Sequence, residues 1–181
     1  DSGLFNICVS TVQTPPNDEP CNAILLNVNP TCTPTIGDNT NATSSNVPTP
    51  GCGRYQGGDI WYKAVVPSNG YLNFNTLPGT VIYNAGMALY TGRCDSLTLF
   101  ACNNASGVRG MPEMSFVNLT PGDTIWIRFW DYLNDDFGTF TICVNSDSIP
   151  TPPSCNINDP AGNPCALATP ICNLDGYCGN T

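Results

Sequence analysis

The chain has 181 residues, with five basic and fourteen acidic side chains, no histidine and a formal net charge of −9. Such a surface repels phosphate backbones and anionic bilayers, which argues against nucleic acid as a partner and against membrane association. No apolar run reaches the roughly 18 residues of a membrane-crossing helix, so no membrane insertion is expected.

Eleven cysteines without a CxxC pair or a histidine argue against a zinc site and for disulfides made in an oxidising, extracellular compartment. The first residues lack the basic start and apolar core of a signal peptide, so the sequence reads as a mature or excised piece of a longer protein.

The chain opens with GLFNICV at 3 to 9, which aligns without a gap on GTFTICV at 138 to 144. Asp1 and Asp136 stand two residues ahead of the two copies, and both are followed by Pro-rich connectors, TPPNDEPC at 14 to 21 and TPPSC at 151 to 155. Self-similarity across semi-rigid spacers is the mark of repeated modules. Residues 1–12 therefore read as the trailing strand of a preceding module. The odd cysteine count agrees: Cys8 would find its partner in that module, at the counterpart of Cys21.

Residues 13–148 read as one module of short β-rich runs between Gly, Pro, Asn and Asp clusters. A first strand is expected over 22–29, followed by a long polar loop over 33–53. DIWYKAVVP (59–67) is a strand stopped by Pro67, and GYLNFNT (70–76) alternates with Leu72 and Phe74 on one face. Strands follow at 84–92 and 96–104. MSFVNLTPGDTIWIRFWDY (114–132) reads as a hairpin around a TPGD turn. Within it Ile125, Ile127 and Phe129 share one face, and Trp126, Arg128 and Trp130 the other. GTFTICV closes the module. No apolar helical period persists for three turns, so the fold class is all-β, a disulfide-bonded β-sandwich or jelly roll.

The expected bridges are Cys21–Cys143, tying the first strand to the last, Cys32–Cys52 across the polar loop, and Cys94–Cys102 around a short strand. Residues 149–181 are a Cys-rich linker holding Cys155, Cys165, Cys172 and Cys178, where NPCALATP echoes EPCNAILL and leads toward a following module.

Catalytic chemistry is poorly provided. Without histidine a Ser or Cys nucleophile lacks its usual base. The single lysine, Lys63, has no SxxK motif, and the two glutamates, Glu19 and Glu113, sit in no acid motif. Tyr55, Tyr90 and Tyr132 are dispersed. The chain is therefore expected not to be an enzyme and to require no cofactor. DYLNDD (131–136) offers hard oxygen ligands for calcium from Asp131, Asn134, Asp135 and Asp136, with a solvated hairpin loop as the plain alternative. The Trp126, Arg128 and Trp130 face reads either as a platform for sugars or peptides or, the favoured reading, as a face covered by loops or a neighbouring module. Asn41, Asn104 and Asn118 occupy N-x-[ST] sequons.

The order PPNDEPCNAILL, GDIWYKAVVPSNGYLNFNT, MALYTGRC with LFACNN, LTPGDTIWIRF and GTFTICV, spanning residues 15 to 145, resembles a known family. It is similar to the repeated β-sandwich modules of large surface proteins exported by type IX secretion in gliding bacteria, relatives of the bacterial pre-peptidase C-terminal domain. The resemblance implies a jelly-roll sandwich, secretion to the cell surface, and a non-catalytic role in adhesion or ligand binding. It also implies a second calcium set, Asp18, Glu19 and Asp59, near the start of the domain. Asp95-Ser96-Leu97, Asp123-Thr124-Ile125 and Asp147-Ser148-Ile149 resemble the tripeptides that these bacteria O-glycosylate, on Ser96, Thr124 and Ser148.

The reading that follows is a structural or adhesive module of a secreted, multi-domain protein, one of a tandem series. Its partners would be neighbouring modules, identical subunits or surface glycans. Two alternatives stand beside it: a calcium-binding accessory domain of a secreted hydrolase, and a filament subunit that donates residues 1–12 as a strand.

Overall fold

The computed structural model describes residues 11–147, together with Leu4 and Ile7. The trailing strand at 1–12, the linker at 149–181, Ser148 and the cysteines at 8, 155, 165, 172 and 178 therefore fall largely or wholly outside the described residues.

Among the described residues nine strands form two sheets: β1 (Ile24–Leu25), β2 (Thr35–Asp38), β3 (Ile60–Val65), β4 (Leu72–Leu77), β5 (Ala85–Arg93), β6 (Ser96–Asn104), β7 (Glu113–Phe116), β8 (Thr124–Asp131) and β9 (Thr139–Asn145). Sheet A runs β1-β3-β8-β5-β6 and sheet B runs β2-β9-β4-β7. From β2 to β9 the chain changes sheet at every connection except the β5–β6 hairpin, which gives the paired four-strand orders of a jelly roll. β1 is added parallel to β3 at the edge.

The structure corrects two expectations about the strands. β7 and β8 do not form a hairpin, because β7 pairs with β4 in sheet B while β8 lies between β3 and β5 in sheet A. The TPGD turn does form, with Asp123 N–H donating to Thr120 O at 3.2 Å, but it carries the chain from one sheet to the other. The polar loop at 33–53 contains β2, four residues with one large apolar side chain, which the apolar pattern left unmarked.

All six expected cysteines are bridged, but with exchanged partners: Cys21–Cys94, Cys32–Cys143 and Cys52–Cys102. The reasons are geometric. A Cys94–Cys102 bridge would have to fold back along β6, whose extended residues rise about 3.3 Å each, whereas bridged Cα atoms lie within about 7 Å. Cys21 leads into sheet A and Cys143 lies in sheet B, so they are not neighbours. Pairing of β2 with β9, in register Thr35 to Ile142, instead brings Cys32 to Cys143.

The core lies between the sheets. Ile60, Tyr62, Ile125, Ile127 and Phe129 from sheet A meet Leu72, Phe74, Phe140, Ile142 and Val144 from sheet B. Phe129 stacks on Phe140 with ring centroids 3.7 Å apart. Gly37 makes room for this contact, since a Cβ there would lie 2.4 Å from both the Phe140 ring and the Tyr62 hydroxyl.

Candidate functional site

The chemistry-bearing side chains converge on the outer face of sheet A. Antiparallel pairing sets Trp61 opposite Arg128 and Lys63 opposite Trp126, while on the other flank Ala88 meets Arg128, Tyr90 meets Trp126 and Gly86 meets Trp130. Small residues beside the large ones give Arg128 and Trp130 their space. A Cβ on Gly86 would stand 2.2 Å from the Trp130 ring.

This face is roofed by the segment between β2 and β3. Arg128 Nη1 donates to Val47 O at 3.4 Å and Pro48 O at 3.1 Å, and Trp130 Nε1 donates to Gly53 O at 2.9 Å. The Cys52–Cys102 bridge pins the roof to β6. Beneath it Arg128 and Asp59 form an ion pair, Nε to Oδ2 at 3.0 Å, with both side chains 0% exposed. The Asp59 carboxylate also accepts from Ser45 N and Oγ, Tyr55 OH and Trp61 Nε1. The Tyr55 ring lies 4.0 Å from the guanidinium carbon.

Burial desolvates this cluster, yet the Asp59 charge holds the Arg128 guanidinium protonated and its pKa above the ordinary value. Burial, with the hydrogen bond and charge of Asp59, pushes the Tyr55 phenol up to about 12, so Tyr55 stays a neutral donor.

The Trp126, Arg128 and Trp130 face is thus covered, as the favoured reading expected, and those residues do not present a platform to solvent. A lone Arg in an otherwise apolar strand was a usable signal of this burial, because a buried charge needs a partner. Identifying that partner as Asp59, 69 residues away, needed the fold.

The second calcium set is largely consumed by protein donors. Asp18 accepts from Thr43 N and Oγ1, and Asp59 is paired as above. Glu19 is exposed, and its pKa is raised by partial burial and by the neighbouring charges of Asp18 and Asp59.

The acidic turn does gather its carboxylates: ligand oxygens of Asp131, Asp135 and Asp136 lie within 4.8 Å of one another. Asp131 is buried and accepts from the backbone N–H groups of Asp135 and Asp136, both at 3.1 Å. Burial pushes its pKa up to about 6 despite those donors. Among the described residues Asn134 Oδ1 has no hydrogen-bond partner, and it is the atom nearest a Cβ built on Gly58.

Among the modification candidates, Ser96 is exposed and Thr124 half-buried, while Asn41, Asn104 and Asn118 are all exposed. A cleft of about 360 Å³ lies beside the Cys21–Cys94 bridge, between Glu19, Pro48 and Asp95.

No protein-family model and no curated protein matches the chain. Among solved structures, the chain is similar to the pre-peptidase C-terminal domain of a collagenase from Bacillus anthracis. The identity is 18%, the match covers 67% of this chain and 93% of that one, and the TM-score is 0.42.

Proposed function

We propose that the chain is a non-catalytic accessory module of a secreted, modular protein, serving as a structural or adhesive unit in a tandem series. The observation that supports this is where its polar chemistry is spent. Asp59, Arg128, Tyr55, Ser45 and Trp61, the groups best suited to acid–base or electrostatic work, saturate one another within and beneath the roofing loop. Their effect is to fasten a long loop to the sheet. Three bridges with sequence separations of 73, 111 and 50 tie distant elements together, as suits a domain working in an oxidising exterior.

The test is twofold. Protein exported to an oxidising compartment should carry the three bridges in peptide maps of unreduced material. The purified chain should also leave chromogenic ester, glycoside and peptide substrates unchanged. Turnover that Asp59→Asn or Asp131→Asn abolishes, with the fold retained, would overturn the non-catalytic reading.

A further inference from the structure

The repeat at the start of the chain gains a meaning from the place that β9 occupies. Residues 3–9 and 138–144 share Gly, Phe, Ile, Cys and Val and differ only at Leu4 against Thr139 and Asn6 against Thr141. In the folded domain the shared residues are those that seat β9. Gly138 N–H donates to Asn39 Oδ1 at 2.8 Å. Phe140, Ile142 and Val144 are each 1% exposed, pointing into the core, and Cys143 bridges Cys32. The two positions that differ, Thr139 and Thr141, are half-buried and alternate with the core residues on the outward side of sheet B. The chain start thus repeats the core-facing residues and the bridging cysteine and varies the two outward threonines.

The slot between β2 and β4 is already filled by β9 in this domain. Ile7, the counterpart of the buried Ile142, is 74% exposed, and Leu4 is fully exposed. A segment with the sequence of a core strand, whose Ile7 lies exposed in its own domain, is suited to adding to another sheet.

We propose that residues 3–9 are the ninth strand of the sandwich preceding this one in the parent chain, inserted between its counterparts of β2 and β4, with Cys8 bridged to its counterpart of Cys32. This rests on the modular reading above. It replaces the counterpart of Cys21 as partner, because that expectation followed a pairing that the structure exchanges. The bridge forms as both thiols give up a proton and an electron to a disulfide oxidant such as oxidised glutathione, which leaves as two thiols. Each module would then be closed by a strand that continues through a Pro-rich connector into the next, so that pulling on the chain loads a bridged strand at the middle of a sheet.

Three measurements test this. The double variant Thr139→Leu/Thr141→Asn makes 138–144 identical to 3–9. It should keep the Cys32–Cys143 bridge and shift Tm by no more than about 3 °C, as outward-facing substitutions do. Loss of that bridge, or a larger drop, shows that the repeated sequence cannot seat as a ninth strand and overturns the proposal. Alkylation of the unreduced 181-residue chain should label Cys8, and a bridge from Cys8 to any cysteine of the same chain overturns it.

Finally, the chain extended N-terminally through the preceding segment should yield a peptide joining Cys8 to that segment's counterpart of Cys32. A preceding sandwich with Cys8 bridged elsewhere, including to a separate polypeptide, overturns the insertion alone. A preceding segment that forms no sandwich overturns the modular reading and the proposal with it.

Discussion

The outer faces of the two sheets are built differently. On sheet A, Trp61, Arg128 and Trp130 lie under a covalently pinned roof, so β8 is buried on both sides along nearly its whole length. On sheet B the outward residues Asn73, Asn75, Thr141 and Asn145 form a half-buried polar surface beside the Cys32–Cys143 bridge, with Asn75 Nδ2 donating to Asn145 Oδ1 at 3.1 Å and with Ile36 and Leu77 exposed at one end. One sandwich thus contains a two-sided core strand and a one-sided sheet. The difference shows that the second, smaller core exists because the loop before β3 is long and polar enough to satisfy a buried guanidinium.

If that is right, substitutions on the two faces should separate widely. Arg128→Met should have the largest effect, about 3–5 kcal/mol, because it leaves the Asp59 carboxylate buried without its charge partner. Denaturant unfolding measures it, and adding Asp59→Asn should recover part of the loss. Removing the roof's pin with Cys52→Ser/Cys102→Ser should cost about 2–4 kcal/mol. It should also shift tryptophan fluorescence to the red as Trp130 meets water. Gly86→Ala should follow at about 1–3 kcal/mol, since the added methyl meets the Trp130 ring.

The acidic turn should give a smaller, pH-dependent effect. Because the folded-state pKa of Asp131 is raised to about 6, the fold holds that proton more tightly than the unfolded chain does. This contribution is therefore complete below about pH 4 and is lost as pH rises toward 6. Thermal melts between pH 4 and 7 should show less of this loss in Asp131→Asn than in the parent. Bound calcium, if the turn takes it, would oppose the same slope. On the polar face of sheet B, Asn73→Ala should stay within about 0.5 kcal/mol. A cost matching that of Arg128→Met would remove the contrast between the faces.

Much of the fold was legible because inward strand residues alternate with outward ones. Leu72 and Phe74, or Ile125, Ile127 and Phe129, identify core faces by period two, and both sets lie in the core. Connectivity was harder to read. MSFVNL and DTIWIRF look like a hairpin because a good turn joins them, and nothing local says that they belong to different sheets. The same crossings defeated the disulfide expectations, two of which assumed that cysteines near one another in sequence would be near one another in space, and the third that the first and last strands are neighbours. β2 was missed because a four-residue edge strand containing Gly37 offers little apolar pattern. At the candidate site, the alternation of Trp126, Arg128 and Trp130 was visible, but the side chains that seal it come from segments far away in sequence.

The late arrival of β9 also bears on how the chain is made. Among the described residues β2 has no other strand neighbour, and its Ile36 is in register with Thr141, 105 positions further on (36 to 141). Contacts at that separation form slowly, because a large loop must close before they repay it. A polypeptide threaded N-terminus first through a narrow export channel would hold β2 and β4 apart, and Cys32 without its partner, until its last strand had passed. Such a domain would keep one bridge and the middle of one sheet open while in transit and close them last.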